Sequence, residues 1–197
     1  MMSTHHPADL ERDLLIVEAS AADLKDNLLE DSIYWTLRAP RGHHVLPKGT
    51  LGGLLMRLHR LDALEDDLTP QQRERLHAAA TTVREELQTW AAQAEEMALR
   101  EIKARLGAWS AYLEEVGGDP DRYIAEYPTQ VQGRVALDFL LEYAGDAVSA
   151  GTRSAVTTAD NLLRSIGVAS PFVWDDALIP AYPKSRFWWL YVQPVEI

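Results

Sequence analysis

The sequence predicts a predominantly all-α protein, a helical bundle organised on one long helix over about 69–116. Three observations carry that expectation. Thr69-Pro70-Gln71-Gln72 is a strong helix start, and no further proline follows until Pro120. Leu76, Ala80, Val83, Leu87, Trp90 and Ala94 recur four and three apart in strict alternation, the spacing of one helix face. Gly117-Gly118-Asp119-Pro120 then forms a decisive stop.

The elements before the long helix read less cleanly. Leu10, Leu14, Val17, Leu24 and Leu28 recur at near-helical spacing over 7–30. Ser20 with Asp23 suggests that two short helices meet near 19–21. Ile33-Tyr34-Trp35-Thr36-Leu37 is a β-branched and aromatic run, closed by Ala39-Pro40-Arg41-Gly42, and reads as a short strand. After a loop over 39–49, Thr50 can cap a helix with Leu51, Leu54, Leu55, Leu58, Leu61 and Leu64 on a broad apolar face.

Within the long helix, Thr69 and Gln72 form a capping box around a proline at the first helical position. After Ala94 the stripe shifts to Ala98, Ile102 and Leu106, all four apart, before Trp109, Leu113 and Val116 restore the alternation. The added fours rotate the stripe and argue against a plain continuous coiled coil. Gly107 is the weak point, at a cost of about 1 kcal/mol relative to alanine. About 47 residues at the α-helical rise would span roughly 70 Å. A compact chain of this length is only about 42 Å across. The helix therefore protrudes, bends near Gly107, or is covered by a second chain, and the last is the favoured expectation.

Beyond the stop, Pro120 to Glu126 reads as a short helical turn, 128–148 as a helix, and 153–166 as another ending at Gly167. The final thirty residues hold seven of the sixteen aromatic side chains, and 186–193 reads as a strand with apolar residues on both faces. A two-stranded pair between 33–37 and 186–193 is expected. The whole chain, 1–197, reads as a single helical domain. Its aromatic-rich segment, 168–197, is expected to pack back on the N-terminal part, with protrusion of 69–116 one of the alternatives above.

Composition bounds the function. A net charge of −11 disfavours nucleic acid and anionic lipid, since neither gains counterion release without a basic patch. The longest apolar runs are too short to span a bilayer, and Met1 to Pro7 carries no apolar leader, so a cytoplasmic location is expected. With no cysteine, disulfides and thiolate chemistry are excluded.

No catalytic group is nominated, and neither a metal nor a cofactor is expected. Lys48-Gly49-Thr50-Leu51-Gly52-Gly53 is a glycine-rich approach to a helix N-terminus, where free N–H groups favour an anion, but it lacks the phosphate-loop ending. His43 and His44 are adjacent and point apart in extended chain. His59 and His77 lack helical ligand spacing. No Gly-x-Ser-x-Gly turn occurs, and Glu95, Glu96 and Glu101 read as solvated flank positions.

Two functional expectations follow. The first is a non-enzymatic interaction or scaffold protein, homodimeric through the long helix, with Leu87, Trp90 and Ala94 in the self-association stripe; another protein partner also fits. The second is a small-ligand binder or enzyme, its pocket lined by Trp35, Arg41, His43, Trp174, Trp188 and Trp189. Core packing is the plainer use of those C-terminal aromatics.

Overall fold

The computed structural model describes residues 9–38, 46–118 and 123–195. The chain is predominantly helical, and the described residues hold a two-stranded antiparallel sheet. The helices are α1 (Leu10–Ala22), α2 (Leu24–Leu28), α3 (Leu51–Ala63), α4 (Pro70–Thr89), α5 (Ala91–Gly118), α6 (Tyr127–Ala144) and α7 (Ala150–Ile166). The strands are β1 (Gly167–Ala169) and β2 (Val192–Pro194), with Val168 opposite Gln193. No described helix is long and apolar enough to cross a membrane. The chain gathers into two compact units, Asp9–Glu101 and Ile102–Ile197, the division falling inside α5.

The long helix is two helices. Its start is as the sequence predicts: Gln72 N–H donates to Thr69 Oγ1 at 3.3 Å and Thr69 N–H to Gln72 Oε1 at 2.9 Å. The interruption falls at Trp90, whose φ of −110° and ψ of 37° leave the helical basin. Gly107 lies within regular α5. The backbone change at Trp90 involves neither glycine nor proline, the residues that sequence reading watches for. α4 and α5 are 20 and 28 residues long, so the premise of one 70 Å rod does not hold.

In the first unit α1 packs against both α3 and α4. Leu14 and Val17 are fully buried, and ionic groups tie the three helices. Asp13, itself buried, meets Arg57 at 3.2 Å and Arg60 at 2.7 Å. Arg75 of α4 meets Glu18 at 2.6 Å and Glu11 at 2.8 Å on α1. Asp9 and Thr50 cap α1 and α3 by accepting from Arg12 N–H and Gly53 N–H. The helix junction near Ser20 falls at Asp23, between α1 and α2.

The expected strand pair is corrected in both halves. Trp35 makes a single antiparallel bridge to Gly49, with reciprocal backbone bonds of 3.1 and 2.9 Å. A side chain at Gly49 would overlap the Trp35 ring, so the bridge needs a residue without a Cβ there. At the other end, Trp188–Tyr191 is a 3₁₀ turn, and only Val192–Pro194 is strand, paired with β1. A turn sends successive large aromatics in different directions into the core, which a strand with only two faces cannot do.

In the second unit α6 and α7 are joined by the turn Gly145–Ala147, where Gly145 has a φ of +48°. α7 starts earlier than expected because Ser149 caps it, accepting from Thr152 N–H at 3.1 Å. The expected turn at 120–126 is described only from 123; it is 3₁₀ over Ile124–Glu126. Arg134 of α6, 4% exposed, donates to both carboxylate oxygens of Asp160 on α7 at 2.9 Å. Its guanidinium lies 3.7 Å over the Trp189 ring. This bidentate pair fixes the α6–α7 register.

Asp160→Ala removes the bidentate partner and leaves the buried guanidinium with Asp138 alone, 3.7 Å away, which should cost about 3 kcal/mol. Glu142→Ala deletes an exposed partner of Arg186 and should cost less than about 1 kcal/mol. Urea unfolding followed by circular dichroism separates the two cases. Equal small losses would contradict the role given to Asp160.

Candidate functional site

An open concave feature lies between α3 and α4. A short connection through the turn Glu65–Asp67 joins these helices, and residues of both line one groove. α3 has too many leucines for one contact. Leu51, Leu54, Leu61 and Leu64 are buried, whereas Leu55 and Leu58 are only half-buried. On α4, Leu76 and Val83 are buried, and Ala80 and Leu87 are half-buried. The residues left over line an open groove of about 610 Å³.

The rest of its lining is sparse in charge. His59, Asp62, His77, Thr81 and Arg84 complete it. His77 Nε2 lies 3.0 Å from Glu65. Asp62 and Arg84 are exposed and have no ion-pair partner among the described residues. The groove offers an apolar floor with polar groups dispersed along it. Among the described residues no cluster of three or more His, Asp or Glu is arranged to hold a metal ion.

The three residues of the expected self-association stripe have separate fates. Leu87 lines the groove. Trp90 is half-buried at the helix interruption, with Lys25 Nζ 5.5 Å from its ring centroid. Ala94 is fully buried in α5. The turn at Trp90 takes the stripe off a single face.

The glycine-rich approach to α3 does receive an anion, and the chain supplies it. Glu101 of α5, 1% exposed, accepts from Gly52 N–H at 3.0 Å. A carboxylate at a helix N-terminus meets both free N–H groups and the positive end of the dipole. Sequence reading placed Glu101 in solvent because it follows Glu95 and Glu96. The signal that distinguishes it is its four-residue step from the buried Met97.

The residues of the expected ligand pocket divide between the units. Trp35 is in the first, buried, and Arg41 and His43 lie outside the described residues. Trp174, Trp188 and Trp189 share one aromatic cluster in the second. Its rings run Phe172, Trp174, Tyr182, Phe187, Trp189 and Trp188, with successive centroids 5.1–6.2 Å apart. Trp174 Nε1 donates to Pro128 O at 2.7 Å, and the half-buried Trp188 ring is covered by the Arg164 guanidinium at 4.1 Å. The adjoining cleft of about 280 Å³ is lined by Tyr127, Pro128, Phe172 and Gln193 among others, and by none of these tryptophans.

A second aromatic stack, Trp109 with Tyr112 and Tyr127, joins α5 to α6 within the second unit. Tyr127 donates its hydroxyl to Trp189 O at 2.6 Å. Burial raises the pKa of Tyr127, with Tyr112 and Asp160 adding to the effect. Burial raises Tyr112 too, helped by Glu126. Both phenols stay protonated in the folded state above the ordinary value near 10. The stability they contribute is therefore complete below about pH 10 and is lost as pH rises beyond it.

In an alkaline titration, Tyr112 and Tyr127 should ionise only above the ordinary phenol range, together with the loss of helical circular dichroism. A single tyrosinate transition at ordinary pH with the helices intact would contradict this placement. Comparison of the chain with family models, with curated proteins and with solved structures returns no match, so its functional reading rests on the geometry above.

Proposed function

We propose that the protein is a non-enzymatic interaction protein that self-associates through the α3–α4 face. The supporting observation is the open apolar groove between these helices, whose leucines exceed what α1 and the unit's own core cover. Helix pairs bury one face against the core and leave the other polar when they have no further partner. Here Leu55, Leu58, Ala80 and Leu87 stay partly accessible beside one another. A second helical pair laid on such a face completes a four-helix arrangement, with packing of the kind found inside bundles.

Composition points the same way. A surface with net charge −11 repels its own copies over most of its area, so contact requires a patch with few charges. From Leu76 to Val83, α4 carries no Asp, Glu, Lys or Arg. This reading keeps the long-helix expectation in narrowed form: the contact lies on α3 and α4, with Leu87 as the retained stripe residue.

Analytical ultracentrifugation at micromolar concentration should give a dimer for the wild type. Leu58→Asp and Leu87→Asp should each shift the protein to monomer, since each puts a carboxylate into the apolar floor. Unchanged circular dichroism would establish that the variants fold. A wild type that sediments as a monomer across that range would refute the proposal.

A further inference from the structure

A second concave feature lies within the second unit, beside the strand pair, and its chemistry differs from that of the α3–α4 groove. The cleft of about 280 Å³ is formed by Tyr127 and Pro128 at the start of α6, by residues 170–173 after β1, and by Gln193 of β2. From these walls we propose that it binds a small neutral ring carrying a cis amide, a cyclic amide whose hydrogen-bonding edge pairs with the Gln193 carboxamide.

The walls are held in place by bonds of their own. Trp174 Nε1 donates to Pro128 O at 2.7 Å, and the Tyr127 hydroxyl is engaged by Trp189 O at 2.6 Å. Ser170 N–H donates to Tyr191 O at 3.0 Å, and Val173 N–H to Leu190 O at 2.9 Å. Ser170 Oγ donates to Pro171 O at 2.9 Å, which leaves its lone pairs as acceptors. Proline has no N–H, so Pro128 and Pro171 present only ring and carbonyl. A cleft built this way needs no reordering to receive a ligand.

None of the lining residues is charged, so an ionic ligand would give up its hydration with nothing to replace it. The volume falls just under the roughly 300–1,000 Å³ of clefts that take drug-sized molecules, which suits a single ring. Pro128, Pro171, Phe172 and Tyr127 supply apolar surface for the faces of that ring. The polar edge comes from Gln193, whose exposed side chain has no hydrogen-bond partner among the described residues. A primary carboxamide carries a C=O acceptor and an N–H donor side by side. A cis amide offers the same two groups side by side, so the two edges meet in a pair of hydrogen bonds. A trans peptide bond points its N–H and C=O to opposite sides and makes only one of the two, which separates a ring amide from an extended peptide.

The probe is δ-valerolactam, a six-membered ring with a cis amide, titrated into the full-length isotope-labelled protein and read by NMR. It should shift the backbone N–H signals of Phe172, Val173 and Gln193, with a dissociation constant on the order of 1 mM. Cyclohexanone keeps the ring and the carbonyl but lacks the N–H, and should bind roughly fivefold more weakly. Gln193→Leu, at an exposed position, should weaken lactam binding roughly tenfold, with unchanged circular dichroism as the folding control. No shift at these signals up to about 20 mM lactam would overturn the site. Equal binding of lactam and ketone, or full affinity in Gln193→Leu, would overturn the recognition assigned to the Gln193 edge.

Discussion

A charge taken out of water must be met by an opposite charge or by aligned dipoles, and this requirement selects the helix neighbours in both units. In the first, buried Asp13 holds Arg57 and Arg60 of α3, while Arg75 ties α4 to the carboxylates of α1. Buried Glu101 closes the N-terminus of α3. In the second, Arg134 and Asp160 fix α6 against α7, and the Trp189 ring lies against the same guanidinium. Apolar packing alone tolerates sliding of one helix along another. A bidentate ion pair does not, because a shift of one turn breaks both of its hydrogen bonds.

These internal pairings also bear on function. The features that suggested a binding site in the sequence are engaged within the chain: the anion site at α3 by Glu101, and the Trp174 indole by a backbone carbonyl. A partly accessible apolar groove lies between α3 and α4. An apolar face with few charges on an acidic chain has the physical character of a contact surface. Catalysis asks for the opposite, a few polar groups convergent on one point.

Much of the fold was legible, for identifiable reasons. Capping chemistry is local, so Thr50 and Thr69 gave the starts of α3 and α4 directly. The interruption at Trp90 was not legible, because it uses neither proline nor glycine and keeps the hydrogen bond from its own N–H to Glu86 O. The strand read over 186–193 failed for a similar reason. Alternation of apolar residues on both faces cannot distinguish a buried strand from a 3₁₀ turn that distributes Phe187, Trp189 and Leu190 into one core. Of the groove, half was visible: five leucines on α3 are more than one helix neighbour covers. The wall on α4 was not, since Leu76, Ala80, Val83 and Leu87 read as the stripe of one long helix.

The absence of cysteine allows the central claim, self-association through the α3–α4 face, to be tested by a single introduced thiol. Thr81 is exposed beside the middle of the groove, and Thr157 is exposed on α7. Under mild oxidation, Thr81→Cys should form a disulfide-linked dimer rapidly and in high yield, while Thr157→Cys should stay monomeric. Equal, slow cross-linking at both positions would contradict the account.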